Sequence, residues 1–177
     1  CCMYIAKQAI LTKDHIPDSQ SFVFYMDIRS PGKGYDEFTR RAQEEYGVKY
    51  VRGRVSRIYP KGNKMVVKGA DTLLGTQVEI EADLVVLGTA VTAAPGAQHL
   101  AEKLRISYDT HGFYVESHPK LRPVETNTSG VFLAGASQGP KDIPSSVGQG
   151  SAAAAKVLSL FSRDMLESDP AVALVNQ

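Results

Sequence analysis

The period of the apolar positions changes several times along the chain, and each change marks an expected element. Ile5, Ala6, Ala9 and Ile10 recur at helical spacing and predict a helix over residues 3–14. Residues 22–28 form a β-rich run expected to be a buried strand, and Pro31, Gly32 and Gly34 mark the turn after it. Phe38 and Ala42 lie on the inner side of a second expected helix, residues 35–46, which Gly47 ends. Residues 48–59 read as one long strand, turned back at Gly62-Asn63 into a strand over 65–68. Residues 77–80 and 82–88 are expected to continue the sheet. Residues 98–104 suggest a short helix.

The stretch 128–155 has a different texture. Val131, Phe132, Leu133 and Ala134 form a short apolar run between Gly130 and Gly135, the pattern of a strand buried on both faces. Gly135 permits a turn that a side chain would hinder. Pro144 suits the turn before a helix, and Ser145 or Ser146 is the expected cap of that helix. Gly148, Gly150, Ser151 and the alanines at 152–155 give it a face almost without bulk, open to close approach by a strand or a flat ring. A last helix is expected over 151–166, and a frayed tail over 169–177.

Composition narrows the function classes. The chain has 177 residues, a hydrophobic content of 43% and a net charge of +1. These values suit a globular protein and favour neither nucleic acid nor a membrane surface as partner. No apolar run approaches the roughly 20 residues of a transmembrane helix, and no signal peptide is evident. The four histidines share no metal-ligand spacing, and Ser145 and Ser146 lack the glycine context of a hydrolase nucleophile. Arg40, Arg41, Arg52, Arg54 and Arg57 read as solvated faces. Gly32-Lys33-Gly34 lacks the third glycine of a dinucleotide fingerprint, and there is no Walker A pattern. A chain that opens on Cys1-Cys2 without Met reads as part of a longer product, with any phosphate-binding half of a cofactor site upstream.

Residues 128–155 resemble the last FAD-binding element of the thioredoxin-reductase-like flavoproteins. In that superfamily a strand ending in Gly-Asp leads through a loop into a helix with Gly-x-Gly and small residues. Lys141-Asp142-Ile143 falls where those proteins have Arg-Gln-Ala beside the flavin pyrimidine edge, and Gly148-Gln149-Gly150 falls on their Gly-x-Gly. The strand-like run from Asp83 to Gly88-Thr89 resembles the one that ends in a small-residue turn before the chain crosses back, through residues 92–96, to the FAD domain. His111-Gly112-Phe113 resembles the connecting hairpin. Ala136 departs from the pattern, standing where the usual aspartate binds the ribityl and pyrophosphate portion. Cys1-Cys2-Met3-Tyr4, Asp27-Ile28-Arg29 with Gly32-Lys33-Gly34-Tyr35, and residues 139–146 resemble more closely one branch, the A-type iron–sulfur flavoprotein subunits of heterodisulfide reductase.

The resemblance implies an α/β fold: a partial two-domain FAD/NAD(P)-binding fold, thioredoxin-reductase-like, with a parallel sheet and a β-meander. The expected division is a Cys-Cys helix over 1–20, the second half of a nucleotide-binding-like domain over 21–90, a crossover and hairpin over 91–119, an FAD-closing segment over 120–166 and a tail over 167–177. The implied function is that of an FAD-containing iron–sulfur electron-transfer subunit, cytoplasmic, relaying or bifurcating electrons. Its implied partners are the other heterodisulfide reductase subunits, a donor subunit of hydrogenase or dehydrogenase type, and ferredoxin. The cofactor-binding residues implied are Gly88, Thr89, Gly135, Ala136, Lys141, Asp142, Ile143, Pro144 and Ser145; the chain itself is expected to be inactive alone.

Cys1 and Cys2 precede a helix, where free N–H groups favour a thiolate. In the resembled family an adjacent pair ends a longer cysteine pattern that binds a [4Fe–4S] cluster. Two thiolates are half of the usual four, so the remaining ligands are expected upstream. Read from the residues alone, an ordinary pair of thiols is the favoured reading, and the resemblance turns it toward the ligand role. The implied placement puts iron–sulfur chemistry where NAD(P)H docks in relatives. Two alternatives stand beside it: an NAD(P)H-dependent FAD oxidoreductase, with Asp27 accepting from a ribose hydroxyl, and a cofactor-free assembly domain of the same fold, which the alanine at 136 keeps in play.

Overall fold

The computed structural model describes residues 1–162, 164 and 165. They divide into two compact units, residues 1–90 and residues from 91 onward.

The first unit begins with α1 (Cys2–His15), then β1 (Phe22–Tyr25), α2 (Tyr35–Glu44) and β2 (Lys49–Arg52). Strands β1 and β2 pair in parallel, Phe22 with Lys49 through Tyr25 with Arg52. Parallel pairing needs a crossover, and α2 lies within it. Ala9 and Ile10 of α1, Ala42 of α2 and Val48 form the buried cluster, with Val23, Phe38, Tyr46 and Tyr50 packed against it. Burying a side chain the size of Ile10 or Val48 stabilises by about 1.5–3 kcal/mol. The outer face of α2 is charged, with Arg40 and Arg41 reaching Glu44 and Glu45 one turn on.

The expected buried strand over 22–28 is shorter and more open: β1 stops at Tyr25, and Phe22 is exposed. The long strand expected over 48–59 is divided. Strand β2 ends at Arg52, and β3 (Val55–Lys61) belongs to a separate antiparallel meander with β4 (Lys64–Asp71) and β5 (Thr76–Ala82). The break falls at Gly53, whose N–H donates to the Tyr25 carbonyl at 2.7 Å. A single continuous strand cannot serve both sheets, and the glycine lets the chain leave one for the other. Lys68 faces Glu79 across the β4–β5 pair and binds it at 2.8 Å, a cross-strand match of opposite charges.

Residues 82–88 do not continue the sheet. Only Ala82 pairs, and Leu84, Val86 and Leu87 are 78%, 61% and 67% exposed. A strand is defined by its hydrogen-bond ladder, and among the described residues nothing pairs with this apolar run.

The second unit contains α3 (Ala97–Leu104) and α4 (Ile143–Phe161). Among its described residues Ala101, Ile106, Gly112, Phe113, Val124, Thr126 and Leu133 are buried. The hairpin expected around residues 105–116 is present as a Tyr108–Tyr114 bridge. Asp109 Oδ1 accepts from the N–H groups of His111 and Phe113, and Gly112 takes φ +85° in the turn. The expected strand over 131–134 is reduced to one bridge, Glu125 with Phe132, and only Leu133 is fully buried. The chain then enters a single 3-10 turn, Gly135–Ser137. Helix α4 starts earlier than the last helix expected from the sequence, and Leu166 and the tail 169–177 lie outside the described residues.

Candidate functional site

Four of the residues singled out from the sequence meet in the first unit. Cys1 is the residue before α1, and Cys2 opens its first turn. The Cys2 Sγ accepts from the backbone N–H of Arg29 at 3.4 Å and lies 3.8 Å from the Asp27 carbonyl. The Cys1 Sγ lies 3.6 Å from the carbonyl oxygen of Thr89, which also accepts from the Tyr4 hydroxyl at 2.7 Å. A Cβ on Gly88 would stand 3.3 Å from the Ile5 side chain, so the absence of one lets residues 88–89 approach α1. Gly88 and Thr89, which the sequence assigned to the flavin, lie against α1, Gly88 beside Ile5 and the Thr89 carbonyl beside Cys1 and Tyr4.

The electrostatics suit sulfur ligands. Cys2 Sγ takes the Arg29 N–H at the start of α1, where the first N–H groups have no partner within the helix. Burial, and then the proximity of Cys2, raise the pKa of the Tyr50 hydroxyl. The exposed Asp27 carboxylate has Arg52 at 3.6 Å, and Arg52 also donates to the Met26 carbonyl. Among the described residues no three His, Cys, Asp or Glu side chains are grouped to hold a metal ion. Among the described residues there are thus two thiols of a kind that fits an iron–sulfur cluster, and not a complete ligand set.

The other seven predicted residues lie in the second unit around the start of α4. Gly135 takes a left-handed φ of +69° and Ala136 is exposed in the 3-10 turn. The helix cap differs from expectation. Asp142, not Ser145 or Ser146, is the N-cap, and its carboxylate accepts the Ser145 N–H at 2.8 Å. The aspartate stands one residue before the first helical position with Pro144 just inside it, the usual cap order. Ile143, Pro144 and Ser145 are exposed.

The residues that organise this region were not singled out from the sequence. Gln138 donates through Nε2 to a Glu116 carboxylate oxygen and to the Pro123 carbonyl at 3.3 Å. Its Oε1 accepts from Lys141 Nζ at 3.1 Å and from Gln149 Nε2. A carboxylate and a carbonyl only accept and an ammonium only donates, so the amide has one consistent orientation. These side chains line a cavity of about 520 Å³ with Val124, Gly148 and Ala152. The only trace in the sequence was the spacing of Gln138 three residues before Lys141.

Small side chains at the α4 start fit a flat ligand. A Cβ on Gly148 or on Gly150 would meet nothing within 4 Å among the described residues. Glycine inside a helix costs about 0.5–1 kcal/mol relative to alanine, and packing within the unit does not require it here. With the Lys141 ammonium, these positions fit the pyrimidine end of a flavin. The ribityl portion finds no counterpart of the usual carboxylate at Ala136.

No protein-family model matches the chain. It is 46% identical over 179 residues to the second A-type iron-sulfur subunit of the CoB–CoM heterodisulfide reductase of Methanopyrus kandleri, a match that covers 100% of the chain and 27% of that protein. It is 46% identical to the A-type subunit of the H(2):CoB-CoM heterodisulfide,ferredoxin reductase of Methanothermobacter thermautotrophicus, over 99% of the chain and 27% of the relative. The corresponding CoB–CoM heterodisulfide reductase iron-sulfur subunit of Methanocaldococcus jannaschii is 49% identical over 89% of the chain and 24% of its own length. The chain thus spans about a quarter of the curated relatives it matches. The adjacent thiols, the parallel β1–β2 unit and this identity along the whole chain agree: the chain belongs to the family of A-type heterodisulfide reductase subunits, which are oxidoreductase components, and matches a portion of such a subunit.

Proposed function

We propose that the chain acts within an iron–sulfur flavoprotein subunit that relays electrons between FAD and a [4Fe–4S] cluster in a heterodisulfide reductase-type complex. The observation that carries this reading is the setting of Cys2: a thiol at a helix start, with a backbone N–H on its sulfur and a second thiol beside it. When bound, FAD supplies an exchange between two-electron and one-electron transfer, and the cluster supplies one-electron steps. Cys1 and Cys2 are the cluster ligands contributed here, and Arg29 N–H stabilises charge on Cys2 Sγ. Gly135, Ala136, Lys141, Asp142, Ile143, Pro144 and Ser145 form the wall that closes on the flavin, and the Lys141 ammonium favours negative charge on it. Gly88 and Thr89 brace the cysteine helix beside the flavin.

The remaining cluster ligands and the phosphate-binding half of the FAD site come from other parts of the subunit. The partners are the other heterodisulfide reductase subunits and a donor subunit of hydrogenase or dehydrogenase type, with ferredoxin as the low-potential arm of a flavin-based bifurcation. The name of the Methanothermobacter thermautotrophicus relative, which includes H(2) and ferredoxin, supports this choice. The complex works in the cytoplasm; no helix among the described residues is long and apolar enough to cross a membrane.

The test is the visible spectrum of the whole subunit purified without oxygen, with iron and acid-labile sulfide assays. Flavin bands with a broad iron–sulfur shoulder, and a loss of about four irons in Cys1→Ser and Cys2→Ser, are expected from a four-iron cluster. Flavin without iron would overturn the cluster reading in favour of a nicotinamide oxidoreductase. Neither chromophore would leave an assembly domain.

A further inference from the structure

The two sulfurs at the start of α1 differ in what they face. Cys2 Sγ takes a main-chain donor, the Arg29 N–H at 3.4 Å, and lies 3.8 Å from the Asp27 carbonyl. Cys1 Sγ faces an acceptor, the Thr89 carbonyl at 3.6 Å. The contacts with carbonyl oxygens use the thiol proton, which leaves when the sulfur binds a metal. The Arg29 N–H donates to a sulfur lone pair and outlasts that proton. The fold holds this donor in place. At the ends of β1 and β2 the Gly53 N–H donates to the Tyr25 carbonyl at 2.7 Å, and Arg52 Nε donates to the Met26 carbonyl at 3.2 Å. Residues 27–29 therefore leave β1 from a fixed point and meet Cys2, 27 residues away in sequence.

We infer that the Arg29 main-chain N–H raises the reduction potential of the cluster through Cys2 Sγ, and that the N–H rather than the guanidinium is the agent. The inference rests on the iron–sulfur reading above and names the atom that tunes it. Reduction of the cluster by the flavin adds one electron and no proton, and part of the added charge falls on the ligand sulfurs. An N–H aimed at one of them stabilises the reduced form more than the oxidised form, so the potential rises. Arg29 is a positioning residue in this sense: it acts on the cluster through the sulfur of Cys2. A main-chain donor remains whatever side chain stands at the position, and it carries no proton that titrates in the working range.

The experiment is an anaerobic redox titration of the whole subunit, followed by the EPR signal of the reduced cluster, in Arg29→Ala and Arg29→Pro. Both variants lose the guanidinium and only the second loses the N–H, so their difference isolates the donor. Arg29 has no positive φ, which makes proline admissible there. The potential of Arg29→Pro is expected to lie below that of Arg29→Ala by about tenfold in the reduction equilibrium, or ~59 mV for one electron. Equal potentials would overturn the inference, as would a higher one in Arg29→Pro. A second measurement needs no proline. The reduced wild type and Arg29→Ala, exchanged into D₂O, are expected to show a deuteron coupled to the cluster by electron–nuclear double resonance. Its absence from either would overturn the inference even where Arg29→Pro takes up no iron. A wild-type subunit with no iron–sulfur signal would overturn the iron–sulfur reading and the inference together; a cluster whose potential ignores the N–H sinks the inference alone.

Discussion

A β-carbon on Gly53 would stand 1.7 Å from the carbonyl oxygen of Ala70. That approach lets the chain leave the β1–β2 pair and begin the meander, and Thr72 on the far side of the contact donates its N–H to the Arg52 carbonyl at 2.7 Å. The neighbour is backbone on a central strand and cannot rotate away.

Gly53→Ala is therefore expected to destabilise the first unit by about 2–3 kcal/mol or more, the range of forced overpacking in a close contact. Gly62→Ala has open space around its Cβ and pays only for a positive φ of 61°, so its expected loss is about 1–2 kcal/mol. Urea denaturation of the two variants side by side checks the order. A Gly53→Ala protein as stable as the wild type would mean that the two sheets do not meet there.

At the start of α4 the stability rests on a side chain. Asp142→Ala removes the acceptor for the Ser145 N–H and is expected to cost about 1 kcal/mol, while Asp142→Asn keeps most of the cap. Ser145→Ala, the substitution the sequence pattern would have chosen, is expected to change little through capping, because its contribution is a backbone N–H. Amide exchange at Ser145 distinguishes the two: faster in Asp142→Ala, unchanged in Ser145→Ala.

On the meander, Lys61 and Glu81 form an exposed hydrogen-bonded ion pair. Their hydrogen bond lowers the Glu81 pKa from its ordinary 4.5 and raises that of Lys61 from its ordinary 10.5. A lowered carboxylate contributes stability above pH 4.5 and loses it as pH falls through the folded value; a raised ammonium contributes below pH 10.5 and loses it as pH rises through the folded value. The pair therefore stabilises between those limits. Glu81→Gln is expected to lower Tm slightly at pH 7, with the difference closing in acid and in 1 M salt, since exposed pairs are weak and screened. A difference that persists in both conditions would show that Glu81 acts through packing.

Much of the local structure was legible in the residues. The helical spacing of Ile5, Ala6, Ala9 and Ile10 places α1, and the Gly62-Asn63 turn places the β3–β4 hairpin. Both signals are short-range: a helix buries one stripe, and a tight turn needs a residue tolerant of positive φ. The apolar runs misled where their partners were concerned. Residues 48–59 look like one strand because alternation does not reveal which sheet a strand joins. Residues 82–88 look like a strand because β-propensity reports fitness for a sheet, not the presence of one.

The chemistry divides in the same way. Sequence by itself determined which reactive groups exist and what they suit: two thiols at a helix start, one lysine beside a capped helix, and small residues along that helix. Only the tertiary structure set Thr89 and Arg29 against the thiols, paired Asp27 with Arg52, and gathered Glu116, Gln138, Lys141 and Gln149 around one amide. Covalent neighbours carry propensity, and propensity is written residue by residue. Apart from the local Gln138–Lys141 bond, these hydrogen-bond partners lie 11 to 88 residues apart and meet only when the fold closes the loops between them.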